Sequence, residues 1–271
     1  MLKVINFLVI AMSVITFMSD FGTEDHYVAA VKATILQHHP QCQIIDLSHH
    51  IGQADIAHAA YVLRNVYNEF PEHTVHLCAV DSVSKEPSKL VAIQWNKHFF
   101  LGPDSGIFSL IGNLETGEVV EINAENGKFS TFIAKDILAP AAAKLAKDGK
   151  LSVLGSPYSQ LKKLFARQLK VTKKEIAGNV IRVDHYGNLI TNINRKEFDT
   201  IIKLNGNSHF QIQFGRERST KIHESYHEVE SGECFIIFNS NDNIQIGINK
   251  GNASELLGLY LDTPIHIYFD A

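Results

Sequence analysis

Apolar positions along the chain follow two different patterns. Up to about residue 160, short unbroken apolar runs stop at polar turns and alternate with stretches of helical spacing. The first run, Val14-Ile15-Thr16-Phe17-Met18, stops at Ser19-Asp20-Phe21-Gly22-Thr23, after which Tyr27, Val28, Val31 and Ile35 recur at the period of a helix. Gln43 to Ser48, the His49-His50 turn and the helical run Ala54 to Tyr67 repeat that unit. A third strand, Thr74 to Val80, ends at Asp81. A fourth, Leu90 to Trp95, leads through His98-Phe99-Phe100-Leu101 into Gly102-Pro103-Asp104-Ser105-Gly106, and Asp136 with Pro140 signals a helix over Ala141 to Ala146. Unbroken apolar runs belong to strands covered on both faces, and their alternation with helices predicts an α/β domain with a mostly parallel, doubly wound sheet over residues 1–160.

A connector over 161–175, rich in Lys and Arg, reads as a solvated face. The pattern then changes to short strand-like segments, Ala177 to Val183, Leu189 to Ile193, His209 to Phe214, Cys234 to Asn239, Ile244 to Ile248 and Pro264 to Phe269, with few helical stretches. That spacing predicts an antiparallel sandwich or β-barrel over residues 176–271. Met1 to Met18, with Lys3, resembles a short signal peptide, but no small-residue cleavage site follows and its second half is needed as a strand. The expected start is therefore Met12, with residues 1–11 an upstream extension.

Composition narrows the function. The 271 residues are 45% hydrophobic and 20% charged with a formal net charge of -4, and Lys and Arg are scattered. There is no basic stripe for nucleic acid and no cationic amphipathic face for a membrane, so a small neutral or cationic partner is expected. Three cysteines, Cys42, Cys78 and Cys234, lie in or beside apolar runs, as reduced thiols of a cytoplasmic protein do.

Asp20 is the first candidate for chemistry. Ligands of open α/β sheets bind outside the carboxyl ends of the strands, where Asp20 falls, and its carboxylate suits a vicinal diol such as a ribose. The alternative is that Asp20 only caps the following helix. Fourteen histidines invite a metal, and His223-Glu224-Ser225-Tyr226-His227 matches the two-His zinc-protease pattern, which works only on a helix. Here it sits among strands, so no metal is expected; His38-His39 and His49-His50 read as surface or turn residues. The stretch Asp184-His185-Tyr186-Gly187-Asn188 is either a hairpin turn or one wall of a polar ligand site.

Taken together, Phe17 to Thr23, Gly102-Pro103-Asp104, Ala139-Pro140-Ala141-Ala142, Asp184 to Asn192, and Asn239-Ser240 through Asn249-Lys250-Gly251-Asn252-Ala253 resemble the S-adenosylmethionine (SAM) hydroxide adenosyltransferases, relatives of fluorinase and chlorinase. The resemblance runs from Val14 to the C-terminus. It implies an α/β N-terminal domain, a C-terminal β-barrel, no metal or organic cofactor, and a homotrimer with ligand between the N-domain of one subunit and the C-domain of the next. By the same resemblance Asp20 holds the ribose hydroxyls, Asp184 the methionine ammonium and Ser240 its carboxylate. Asn188 contacts adenine, Tyr186 and Tyr226 place rings against it, and Phe132 lines the reaction centre.

The implied activity is hydrolysis of SAM to adenosine and methionine. The family's hydrolases carry an Asp, Arg and His around the attacking water. Asp81 matches the Asp, whereas Ser88 stands at the Arg position and Ile133 at the His position, leaving Lys89 as an electrostatic substitute. Gln53, Ala54 and Ala134 depart from the pattern as well. Two other readings therefore stand beside hydrolysis: a protein that binds adenosine or SAM with little catalysis, and a nucleophilic halogenase.

Overall fold

Strand β1 (Val14–Ser19) sits inside the parallel part of a sheet, between β2 (Gln43–Ser48) and β3 (Val75–Ala79). The computed structural model describes residues 13–81, 88–112, 117–123, 130–206 and 209–269, so the extension 1–11 and the start at Met12 lie outside the described residues. The chain forms two units, residues 1–165 and 166–271.

In the first unit the sheet also contains β4 (Leu90–Trp95), β5 (His98–Pro103), β6 (Glu118–Ile122) and β7 (Gly155–Pro157), and its order is β2-β1-β3-β5-β4-β6-β7. Pairing is parallel from β2 to β5 and antiparallel from β5 outward. The change of direction comes from the turn Asn96-Lys97, whose φ values of 48° and 64° are both left-handed. That is the two-residue hairpin geometry matching strand twist, here without the glycine that advertises it. Side-chain alternation then divides the core. Ile15, Phe17, Leu77, Phe99 and Leu101 pack with residues of α1 (Tyr27–His38) and α3 (Ala139–Asp148), while Met18, Cys78, Ile93 and Phe100 pack with α2 (Ile56–Val66). With both faces covered, these strands need no polar alternation, which explains the unbroken apolar runs.

The second unit is an antiparallel half-barrel. It contains β8 (Lys170–Val171), β9 (Glu175–Val183), β10 (Leu189–Asn194), β11 (Phe210–Phe214), β12 (Glu217–Ser219), β13 (Cys234–Phe238), β14 (Asn243–Ile248) and β15 (Pro264–Phe269). The order is β12-β11-β15-β9-β10-β14-β13, with β8 on β9. Strand β9 serves both halves: residues 175–179 pair with β15 and residues 180–183 with β10. Two helices are present among the described residues, α4 (Arg195–Asn205) and the short α5 (Ala253–Leu257). Helix α4 was not legible as such, yet it carries standard signals: Asn194 accepts from Glu197 N at 3.0 Å as its cap, and Phe198 and Ile201 face the core.

Candidate functional site

The turn after β1 delivers Asp20 to the carboxyl end of the parallel sheet. Its Oδ2 accepts a hydrogen bond from Ala54 N at 3.0 Å, and its charge helps burial push the Cys78 thiol up. The capping alternative fails, because α1 begins at Tyr27 with His26 as its N-cap. One of the four lone-pair positions of the carboxylate is thus used, and a diol requires two more. Gly22, at φ 70°, donates to His49 O at 2.8 Å and closes the turn. Beside it Phe21, Tyr27 and Phe132 form an edge-on cluster, with centroids 5.4 to 6.1 Å apart. Phe132 therefore lies where Asp20 lies.

Asp81 follows β3, the strand beside β1, and is half-buried. Ser88 donates its hydroxyl to Asp81 Oδ1 at 2.6 Å, the short length of a charge-assisted bond. The residue at the expected Arg position thus does reach the carboxylate, but as a neutral donor. Its neighbour Lys89 goes elsewhere: its side chain is 60% exposed and its ammonium meets Glu121 Oε1 at 2.5 Å, which raises its pKa. Ile133 is half-buried at the start of a π-helical turn (Ala134–Leu138) that precedes α3, packed against the core. Asp104 of the Gly102-Pro103-Asp104 turn is structural. It accepts from Lys162 N at 3.0 Å and from the Tyr158 hydroxyl at 3.4 Å, while burial raises its pKa.

In the second unit Asp184 organises the loop between β9 and β10. Its Oδ1 accepts from Tyr186 N and Asn188 N, and its Oδ2 from Asn188 Nδ2, all at 2.9 Å. Both readings of this stretch therefore hold at once: it is a closed turn, and Oδ2 keeps a lone pair for one further donor such as an ammonium. Tyr186 projects from the turn with 76% of its surface exposed.

The sequence reading missed Gly247, which makes room for Asn188. A Cβ there would lie 2.4 Å from Asn188 Oδ1 and 2.2 Å from the Phe235 ring. A glycine inside a strand, between Ile246 and Ile248, was the available signal. Gly247→Ala should cost about 1–3 kcal/mol through overpacking, read as a lower midpoint in urea denaturation. An unchanged midpoint would mean that Asn188 and Phe235 move aside freely.

Tyr226, 51% exposed, lies 6.2 Å from Phe235 between ring centroids, so it joins Asn188 around Gly247. Its segment is a single 3₁₀ turn, Tyr226–Glu228, closed by a capping box between Ser225 and Glu228. His223 instead brackets β13, its main-chain N–H donating to Ile236 O, so the two imidazoles share no helical face. Ser240 does not join this group. It occupies the exposed tip of the β13–β14 hairpin, and the register sets Leu189 against Ile246 but Asn194 against Asn243. From Gly247 to Asn243 is about 13 Å along the strand at the usual rise per residue.

Comparison with known proteins agrees with the layout. Residues 15–155 match the family model described as SAM hydroxide adenosyltransferase N-terminal domain, and residues 178–266 match the corresponding C-terminal domain. A Methanocaldococcus jannaschii protein named (R)-S-adenosyl-L-methionine hydrolase is 32% identical, covering 95% of this chain and 97% of that protein. A fluorinase from Actinoplanes sp. is 25% identical over 69% of this chain and 73% of its own length. The crystal structure of an uncharacterized conserved protein from Thermotoga maritima superposes with a TM-score of 0.83 at 28% identity, covering 94% of this chain and all of that one.

Proposed function

The chain belongs to the SAM hydroxide adenosyltransferase family, and from that premise we propose that it hydrolyses S-adenosylmethionine to adenosine and L-methionine by attack of water at ribose C5′. The observation that carries this reading is Asp81, a half-buried carboxylate at the strand end beside Asp20, with Ser88 donating to it. The sulfonium makes C5′ electrophilic, and the C5′–S bond breaks as the C5′–O bond forms. Methionine leaves as a neutral thioether, and the water loses one proton, which Asp81 accepts and passes to solvent. A neutral leaving group and a water nucleophile call for neither metal nor organic cofactor. Lys89, exposed and paired with Glu121, acts on this centre only through a screened field.

We assign Asp20 to the ribose diol, Phe132 to the wall beside it, Asp184 to the ammonium, and Asn188, Tyr186 and Tyr226 to the adenine. The two exposed tyrosines suit stacking platforms. The assembly we propose is a homotrimer in which the first unit of one copy faces the second unit of the next; light scattering measures it directly. The three free cysteines favour the cytoplasm.

A second reading, binding with little catalysis, is favoured by Ser88 and Ile133 at the positions of the missing Arg and His. A halogenase is disfavoured because a carboxylate at Asp81 repels a halide nucleophile. The test is incubation with the (R) and (S) sulfonium epimers of SAM, with and without excess chloride or fluoride, followed by chromatography. Adenosine as the product supports hydrolysis. Tight adenosine binding with no product supports the second reading, and a 5′-halogenated nucleoside the third.

Two substitutions separate the ends of the ligand. Asp20→Ala should weaken adenosine and SAM alike, by about 1.5–3 kcal/mol for hydrogen bonds to a charged group. Asp184→Ala should weaken SAM while sparing adenosine, and calorimetry showing equal losses for both ligands would reject the ammonium assignment.

A further inference from the structure

The His49-His50 turn is half hidden: His50 is exposed, whereas His49 is only 4% exposed and lies edge-on to Phe17 with centroids 4.7 Å apart. It touches the Asp20 turn on both sides. Ser19, the residue before Asp20, is fully buried and places its hydroxyl 2.7 Å from His49 Nδ1. Gly22, two residues after Asp20, donates its N–H to His49 O at 2.8 Å. The other ring nitrogen, Nε2, is buried and lies 3.1 Å from Asp46 Oδ1. Asp46 is in turn anchored by Lys32 of α1 at 2.5 Å.

A carboxylate beside Nε2 favours the tautomer with the proton there, so Nδ1 is the acceptor and Ser19 the donor. Ser, His and Asp in a row resemble a nucleophilic relay, but a fully buried hydroxyl cannot attack a substrate. The chain instead runs from α1 through β2 to the end of β1, and it stops next to Asp20. A carboxylate that must accept both hydroxyls of a diol loses affinity when its own backbone drifts, because two hydrogen bonds then misalign together.

We infer that His49 is a positioning residue, which fixes the turn bearing Asp20 through Ser19 on one side and Gly22 on the other. This rests on the reading of Asp20 as the ribose partner. The variants are His49→Leu, which keeps the bulk and removes both nitrogens, His49→Asn, whose amide can replace Nδ1, and Ser19→Ala, which removes the link with little change of volume. Adenosine affinity by calorimetry and steady-state rates with SAM are measured on variants whose thermal melts show a folded protein. His49→Leu and Ser19→Ala should weaken adenosine about tenfold, the worth of one buried hydrogen bond, and raise KM more than they lower kcat. His49→Asn should recover most of the loss, which a role in packing alone does not provide. Adenosine affinity within twofold of wild type in both His49→Leu and Ser19→Ala overturns the inference, as does His49→Asn behaving like His49→Leu. Wild-type protein that binds no adenosine overturns the Asp20 reading itself, a separate outcome.

Discussion

Asp81→Asn lowers the rate of adenosine formation about 10²- to 10⁴-fold while leaving adenosine affinity within about twofold of wild type, the range that a positioned acid–base group contributes. The substitution keeps the shape of the side chain and the oxygen that Ser88 contacts at 2.6 Å, but removes the charge. Charge matters here because water becomes acidic only as its bond to C5′ forms, so the interaction with a carboxylate strengthens toward the transition state and not in the bound substrate. Ser88→Ala should cost less, about threefold to tenfold, since it removes one hydrogen-bond donor to Asp81 without removing the proton acceptor. The check is single-turnover chromatography of adenosine, with calorimetry on the same samples. Unchanged turnover in Asp81→Asn would move the binding-protein reading to first place.

The same geometry bears on the missing Arg and His. Ser88 fills its position with a hydroxyl already in contact with Asp81, and Ile133 is packed against the core of the first unit at the start of a helical turn. An Arg at position 88 would displace the hydroxyl that contacts Asp81, and a His at position 133 would put a polar ring among the apolar side chains packed there.

Asp20 and the strand leading to it were legible because β1 is covered on both faces, and such strands read as unbroken apolar runs with a polar stop. The turn at Asn96-Lys97 was not, since Lys97 takes a left-handed φ that a glycine would have announced, and from that turn outward the sheet is antiparallel. Helix α4 was missed because its apolar positions are few and charged residues separate them. In the candidate site, Asp184, Tyr186 and Asn188 stood together in sequence and stand together in the fold. Ser240 is set apart by the register of β14 on β10, which no local pattern reports. Lys89 looked available beside Ser88, but its partner Glu121 lies on β6, a strand the apolar pattern did not reveal. His49 read as a turn residue, and its burial depends on Phe17 and Ser19 of another strand.

The remaining histidines carry the last prediction, a loss of stability in mild acid that starts far from the proposed reaction centre. His76 is the second residue of β3 and His98 the first of β5, both buried at the amino ends of strands whose carboxyl ends lead toward Asp81 and Asp104. Thr16 Oγ1 lies 2.8 Å from His76 Nδ1, and His76 Nε2 lies 3.3 Å from His98 Nδ1. Burial, and then the proximity of His98, lower the His76 pKa from 6.5 to about 3, and burial lowers that of His98 as well. A histidine depressed in the folded state binds its proton first when the chain unfolds. The stability it contributes is thus complete above pH 6.5 and is lost as pH falls toward about 3. At pH 5, His76 alone should cost about 2 kcal/mol relative to pH 8, with a slope approaching about 1.4 kcal/mol per pH unit below that, and His98 adds in the same direction. The carboxylates held low, such as Asp46 and Glu228, start from unfolded values of 3.8 and 4.5 and contribute mainly below this window, while Asp104, held high, opposes the trend. Urea denaturation at intervals from pH 8 to pH 5 reads the slope, and His76→Gln, whose amide can still meet Thr16, should flatten it. A wild-type stability that stays level across that range would show that these two buried rings are protonated in the folded protein at little cost.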